Sequence, residues 1–274
     1  MNRRLKVERV AQLAVVLTSA IALKYFYSTA SVNQLRWILA PTTFLVELIT
    51  GERFQFEPFA GYINGNHTFV IAASCAGVNF LLTAFLMLAV RKFWRERSQK
   101  IKWRFLPATA LVAYVVTVVT NTIRITTAMQ LRERHFAASW LSAGQLHRLE
   151  GIFVYFGFLL LLYVLSERMS ERALDSMSAP RGSNLRWLGF PLFVYYTMTL
   201  GIPFVNGSFR HAGFWEHSAF VLLVPLLVLV PLAAFRIAKR RCSVPERSPR
   251  LASHQVNPVG MQCLYEPTDP GVVP

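Results

Sequence analysis

The chain has 274 residues, of which 54% are hydrophobic and only 16% charged, and its mean hydropathy is positive, which excludes an ordinary soluble domain of this size. A formal net charge of +15 would suit a nucleic-acid binder, but the Lys and Arg fall in short blocks between apolar segments, as in the cytoplasmic loops of a polytopic membrane protein, so no nucleic-acid partner is expected. Three cysteines, Cys75, Cys242 and Cys263, lack C-x-x-C spacing and point neither to a disulfide framework nor to a cysteine-based metal site.

The first nine residues carry Arg3, Arg4, Lys6 and Arg9 and precede an apolar run from Val10 to about Tyr27 that holds Lys24. A basic flank before an apolar run keeps the N-terminus inside. A signal peptide cut after Ser28-Thr29-Ala30 is the competing reading. Lys24 and the bulky Tyr25-Phe26-Tyr27 make a poor cleavage region and favour an uncleaved first span. The patch from Leu35 to Ile49 contains Arg36, Pro41 and Glu47 and is shorter than the roughly 20 residues a span requires. The block from Arg91 to Arg104 holds seven basic residues and one acid, so it belongs inside. That parity makes 35–49 an interfacial or re-entrant helix on the outer face. An extended or turn-rich outer loop follows from Gly51 to His67, with the turn-prone Asn64-Gly65-Asn66.

Phe69 to Val90 reads as the second span, running inward, and Phe105 to about Ile125 as the third, running outward. An outer segment from Thr126 to Glu150 leads into the fourth span, Gly151 to Leu165, and a polar inner loop covers Glu167 to Arg186. Trp187 to Val205 and Ser218 to Phe235 are the fifth and sixth spans, and Arg236, Lys239, Arg240 and Arg241 hold the last end inside. The expected fold is an all-α, polytopic transmembrane bundle of about six spans plus the outer-face helix. The membrane domain covers 1–242, and the Pro- and Ser-rich tail, 243–274, is expected to be cytoplasmic and disordered.

This topology places Cys75, Arg124 and His147 at one face of the membrane. Each has a polar companion nearby in sequence: Asn79 four residues after Cys75, Asn121 three before Arg124, and Glu150 three after His147. A thiol attacks as thiolate, favoured by a helix N-terminus and a neighbouring imidazolium. A histidine can take the thiol proton and later return one to a leaving amine. An arginine stays charged and can hold a developing oxyanion. Taken singly, each has a plainer explanation: small-residue packing for Cys75, snorkelling for Arg124, interfacial solvation for His147, and a structural role for Asn79 and Glu150. Their complementarity at one depth describes acyl transfer through a thioester. His67, His135, His211, His217 and Glu216 show no i,i+4 His pair and no H-E-x-x-H spacing, so no metal and no cofactor is expected. Lys24 is expected to snorkel to an interface.

Ser-Cys-Ala-Gly-Val-Asn-Phe at 74–80, Asn-Thr-Ile-Arg-Ile at 121–125 and His147-Arg148 ahead of a further apolar helix resemble the exosortase and archaeosortase family of membrane sorting enzymes. The first motif, with Leu39-Ala40-Pro41-Thr42 upstream, is most similar to the exosortase K branch. The resemblance covers roughly residues 10–166. It departs from the wider family in Ala-Gly, rather than Ser-Gly, after the cysteine and in its smaller number of spans. The resemblance implies a membrane cysteine protease or transpeptidase in the cytoplasmic (inner) membrane, its active site on the extracytoplasmic side. Its substrates would be proteins with a C-terminal sorting signal, namely a short motif, a transmembrane helix and a basic cluster. Cys75 would be the nucleophile, His147 the general base and acid, and Arg124 the stabiliser. A thiol-dependent membrane acyltransferase and a non-enzymatic transport or assembly subunit are the alternatives.

Overall fold

A computed structural model describes residues 3–96, 101–133, 143–174, 186–205, 210 and 212–242. The tail expected to be disordered lies outside these residues. The described chain is mostly helical. Helix α1 spans Arg3–Thr29 and α2 spans Arg36–Thr50. Three short strands follow: β1 Phe54–Glu57, β2 Gly61–Asn64 and β3 Val70–Ile71. A one-turn 3-10 helix, Ala73–Ala76, leads through Gly77 into α3, Val78–Arg95. Then come α4 Phe105–Glu133, α5 Ala143–Leu174, α6 Arg186–Tyr196, a π-helical turn Thr197–Gly201, α7 Ile202–Val205 and α8 Ala212–Cys242.

Among the described residues, five helical stretches are long and apolar enough to cross a membrane: Val7–Thr29, Ala73–Arg95, Phe105–Arg132, Gly144–Met169 and Gly213–Pro231. They mark a multi-pass membrane protein. The sixth expected span, 187–205, is not one such helix. Pro191 lies inside α6, and the path continues as a π turn and the short α7 with Pro203. A proline removes one backbone donor and crowds the preceding turn, and a π turn is the familiar accommodation of such a break.

The expectation of an all-α chain also needs correction. β1, β2 and β3 form an antiparallel sheet in that order, with Phe54 opposite Asn64 and Tyr62 opposite Ile71. The buried Asn64 organises its last turn. Its Oδ1 accepts from the backbone N–H groups of Thr68 and Phe69, both at 2.9 Å, and its Nδ2 donates to Glu52 and to Thr68 Oγ1. Glu47 near the end of α2 accepts from the Phe54 N–H at 2.7 Å, tying α2 to the sheet.

α2 is too short to span, as expected, and packs against α4. Trp37 stacks on Tyr114 of α4 with ring centroids 5.7 Å apart, and the Tyr114 hydroxyl donates to the Trp37 carbonyl at 2.7 Å. Tyr114 lies nine residues into α4, about 14 Å along its axis at the usual helical rise. The start of α2 therefore packs about a third of the way along α4.

α4 packs against α2, α3 and α5. Its buried Thr117, Thr122 and Thr126 donate their hydroxyls to the carbonyls four residues back, which lets polar side chains sit in helix contacts without an orphaned donor. At one end of the bundle Gln12 of α1 donates to the Ile101 carbonyl at 2.8 Å, and Arg91 and Arg95 of α3 grip Glu167 of α5 at 2.6 and 2.9 Å. Arg91, Arg95 and Ile101 thus share an end with Gln12 of α1 and Glu167 of α5. Cys75, just before α3, Arg124 in the second half of α4 and His147 in the first turns of α5 lie away from that end.

Candidate active site

Cys75 is half-buried on the 3-10 turn Ala73–Ala76, not in the first turn of α3 as its sequence position suggests. Gly77, at φ 68°, separates the two. An L side chain there is strained, and a Cβ would lie 3.2 Å from the Asn121 carboxamide. That close approach is put to use: the Asn121 Nδ2 donates to the Cys75 carbonyl. Asn121 is fully buried on α4. Because its amide nitrogen faces Cys75, its Oδ1 is free to accept, and it takes the Tyr155 hydroxyl at 2.9 Å.

Tyr155 links this pair to the charged half of the site. Its oxygen also accepts from Arg124 Nη1 at 3.1 Å, its ring stacks on Phe80 of α3 at 5.2 Å, and the guanidinium lies 5.2 Å from its ring centroid. Arg124 Nη2 reaches His147 Nε2 at 3.2 Å. An arginine only donates, so Nε2 must be the unprotonated nitrogen and His147 the neutral Nδ1–H tautomer. Nδ1 then faces Glu150, whose Oε2 is 3.7 Å away. The Glu150 side chain is only 6% exposed, and neither of its oxygens has a hydrogen-bond partner among the described residues. Gly151 is the residue that lets Arg124 lie against α5, since a Cβ there would come within 3.1 Å of its Nε.

Asn121, Tyr155, Arg124 and His147 thus form one hydrogen-bonded chain that begins at the Cys75 carbonyl, with Glu150 beside His147, whereas Asn79 bonds to Lys24 instead. Cys75 lies within electrostatic reach of Arg124, Tyr155 and Tyr27. The details differ from the sequence-based picture. α4 does not end at Ile125 but runs on to Glu133, and His147 and Glu150 sit on α5 rather than before it. Helical extension on both sides holds Arg124 and His147 on rigid elements instead of a loop. Lys24 does not simply snorkel: its Nζ donates to Asn79 Oδ1 at 2.7 Å.

No family model, characterised protein or solved structure matches the chain.

Tyr155, Lys24 and Tyr27 were not among the residues expected there. For Tyr155 a pattern was present: His147, Gly151 and Tyr155 recur every four residues along α5 and share a face. His217, Glu216 and Arg148 do not join the Cys75 cluster. Glu216 instead ties α8 to α5, accepting from Gln145 at 3.1 Å and facing Arg148 at 3.7 Å. Among the described residues no group of three His, Cys, Asp or Glu is placed to hold a metal ion.

Proposed function

We propose that this protein is an exosortase-like cysteine peptidase or transpeptidase of the cytoplasmic membrane, acting at its outer face on proteins with a C-terminal sorting signal. The observation that carries this reading is the unbroken hydrogen-bonded path from the Cys75 turn through Asn121, Tyr155 and Arg124 to His147. Neither a packing cysteine nor a snorkelling arginine requires such a path. The outer-face assignment rests on the basic residues gathered at the opposite end of the bundle.

In the resting arrangement Arg124 covers the basic nitrogen of His147. A substrate carbonyl oxygen that takes the Nη2 donor of Arg124 uncovers Nε2, so binding and activation of the base become one event. Cys75 Sγ then attacks the carbonyl carbon, its proton passing to Nε2 while the guanidinium holds the oxyanion. Collapse breaks the C–N bond, the leaving amine takes the proton from His147, and a thioester remains on Cys75. Water or an acceptor amine resolves it. Asn121 and Tyr155 hold the nucleophile turn and the guanidinium in register. Glu150 faces Nδ1–H and favours the required tautomer.

The test is a Cys75→Ala chain that inserts and accumulates normally, expressed with a substrate bearing the sorting signal. Unprocessed substrate should build up. Processing at the wild-type rate would contradict the proposal.

A further inference from the structure

Lys24 is the one charged residue between Val10 and Thr29, and the acyl-transfer chemistry above leaves it unused. An ammonium within so apolar a helix is costly and usually has a task. Its Nζ crosses from α1 to α3 to donate to Asn79 Oδ1 at 2.7 Å and lies 5.7 Å from the Tyr27 ring centroid. Among the described residues no carboxylate pairs with it. One turn further along α1, the Tyr27 hydroxyl reaches the Ala73 carbonyl at 3.5 Å, two residues before Cys75. This face of α1 therefore lies against the nucleophile turn and the start of α3.

The contact fixes more than a distance. An ammonium only donates, so the Asn79 carboxamide must turn its oxygen toward Lys24 and its Nδ2–H2 group away. Asn79 is exposed, is the second residue of α3, and stands just beyond the Gly77 bend from Cys75. Among the described residues its Nδ2 has no acceptor. The result is a neutral two-proton donor held in a set orientation at the edge of the nucleophile turn.

We propose that Asn79 is a donor of the oxyanion site at Cys75 and that Lys24 is the residue that positions it. The inference rests on the acyl-transfer reading of Cys75. As the Sγ–C bond forms, the carbonyl electron pair moves to oxygen and the thiol proton passes to His147. The Asn79 Nδ2–H2 group donates to that oxygen. The carbonyl then re-forms, and the bond to the leaving group breaks.

The test compares two reagents on the full-length protein in detergent, scoring the Cys75-containing peptide by mass spectrometry. p-Nitrophenyl acetate acylates a thiol through a tetrahedral oxyanion, whereas iodoacetamide alkylates it by direct displacement with none. The readout is the ratio of the two rates, in which any change in thiol ionisation cancels. Asn79→Asp keeps the contact with Lys24, now as an ion pair, but removes the donor. It should lower the ratio by about 10²-fold, the usual effect of losing one oxyanion donor. Lys24→Met should lower the ratio in the same direction, and Lys24→Arg should restore it. If the contact only ties two helices together, Asn79→Asp keeps the wild-type ratio, which would overturn the inference and leave the acyl-transfer reading standing. A wild-type protein alkylated at Cys75 but never acylated by the ester would overturn both.

Discussion

Arg124 Nη2 hydrogen-bonds to His147 Nε2 at 3.2 Å, and this single contact sets the imidazole tautomer and joins α4 to α5 at the candidate site. Arg124 also reaches the Tyr155 hydroxyl through its other terminal nitrogen. A lysine cannot span both partners with fixed geometry, despite keeping the charge. Arg124→Lys should therefore lower substrate processing by about 10²-fold, the scale of one lost oxyanion donor, with membrane insertion unchanged. Processing assays on equal amounts of inserted protein check this, and wild-type activity in Arg124→Lys would show that charge alone suffices.

Tyr155→Phe separates the hydroxyl from the ring. The stack on Phe80 and the guanidinium contact over the ring persist, but Asn121 Oδ1 loses its donor and Arg124 Nη1 its acceptor. The expected cost in stability is about 1 kcal/mol for a buried hydrogen bond. The expected fall in processing is larger, about tenfold, equivalent to roughly 1.4 kcal/mol in the barrier. Thermal unfolding in detergent beside processing rates tells the two apart. Equal, small effects on both would make Tyr155 a packing residue only.

Two glycines near the site should respond oppositely. Gly77→Ala forces an L residue into the left-handed region, a strain of about 1–2 kcal/mol, and sets a Cβ 3.2 Å from the Asn121 carboxamide. Stability and activity should fall together. Gly151→Ala instead improves helix propensity by about 1 kcal/mol, while its Cβ meets Arg124 Nε at 3.1 Å. Here α5 should hold or gain stability while processing drops, a divergence visible in unfolding and activity measurements on the same preparation.

The residue types on each helix made much of the site legible before its geometry. Positive blocks fixed the parity of the helices, and parity brought Cys75, Arg124 and His147 to one end. The bends were harder to see. The Gly77 bend that takes Cys75 off α3 is set by a tertiary contact with Asn121, 44 positions away in sequence. Residues 187–205 read as one apolar run because mean hydropathy does not register Pro191 or the π turn. Lys24 looked like an interfacial lysine because its partner, Asn79, lies on another helix. Local composition specifies depth in the membrane, whereas side-chain partnership depends on helix rotation and packing.

The most direct measurement is to trap the covalent intermediate: full-length protein turning over a substrate with the sorting signal, quenched in acid, and the Cys75 peptide identified by mass spectrometry. A substrate-derived peptidyl thioester on Cys75 is expected, lost on hydroxylamine treatment and formed about 10²-fold more slowly in Arg124→Lys. A lipid-derived acyl group on Cys75, or turnover with Cys75 unmodified and replaceable by alanine, would contradict it.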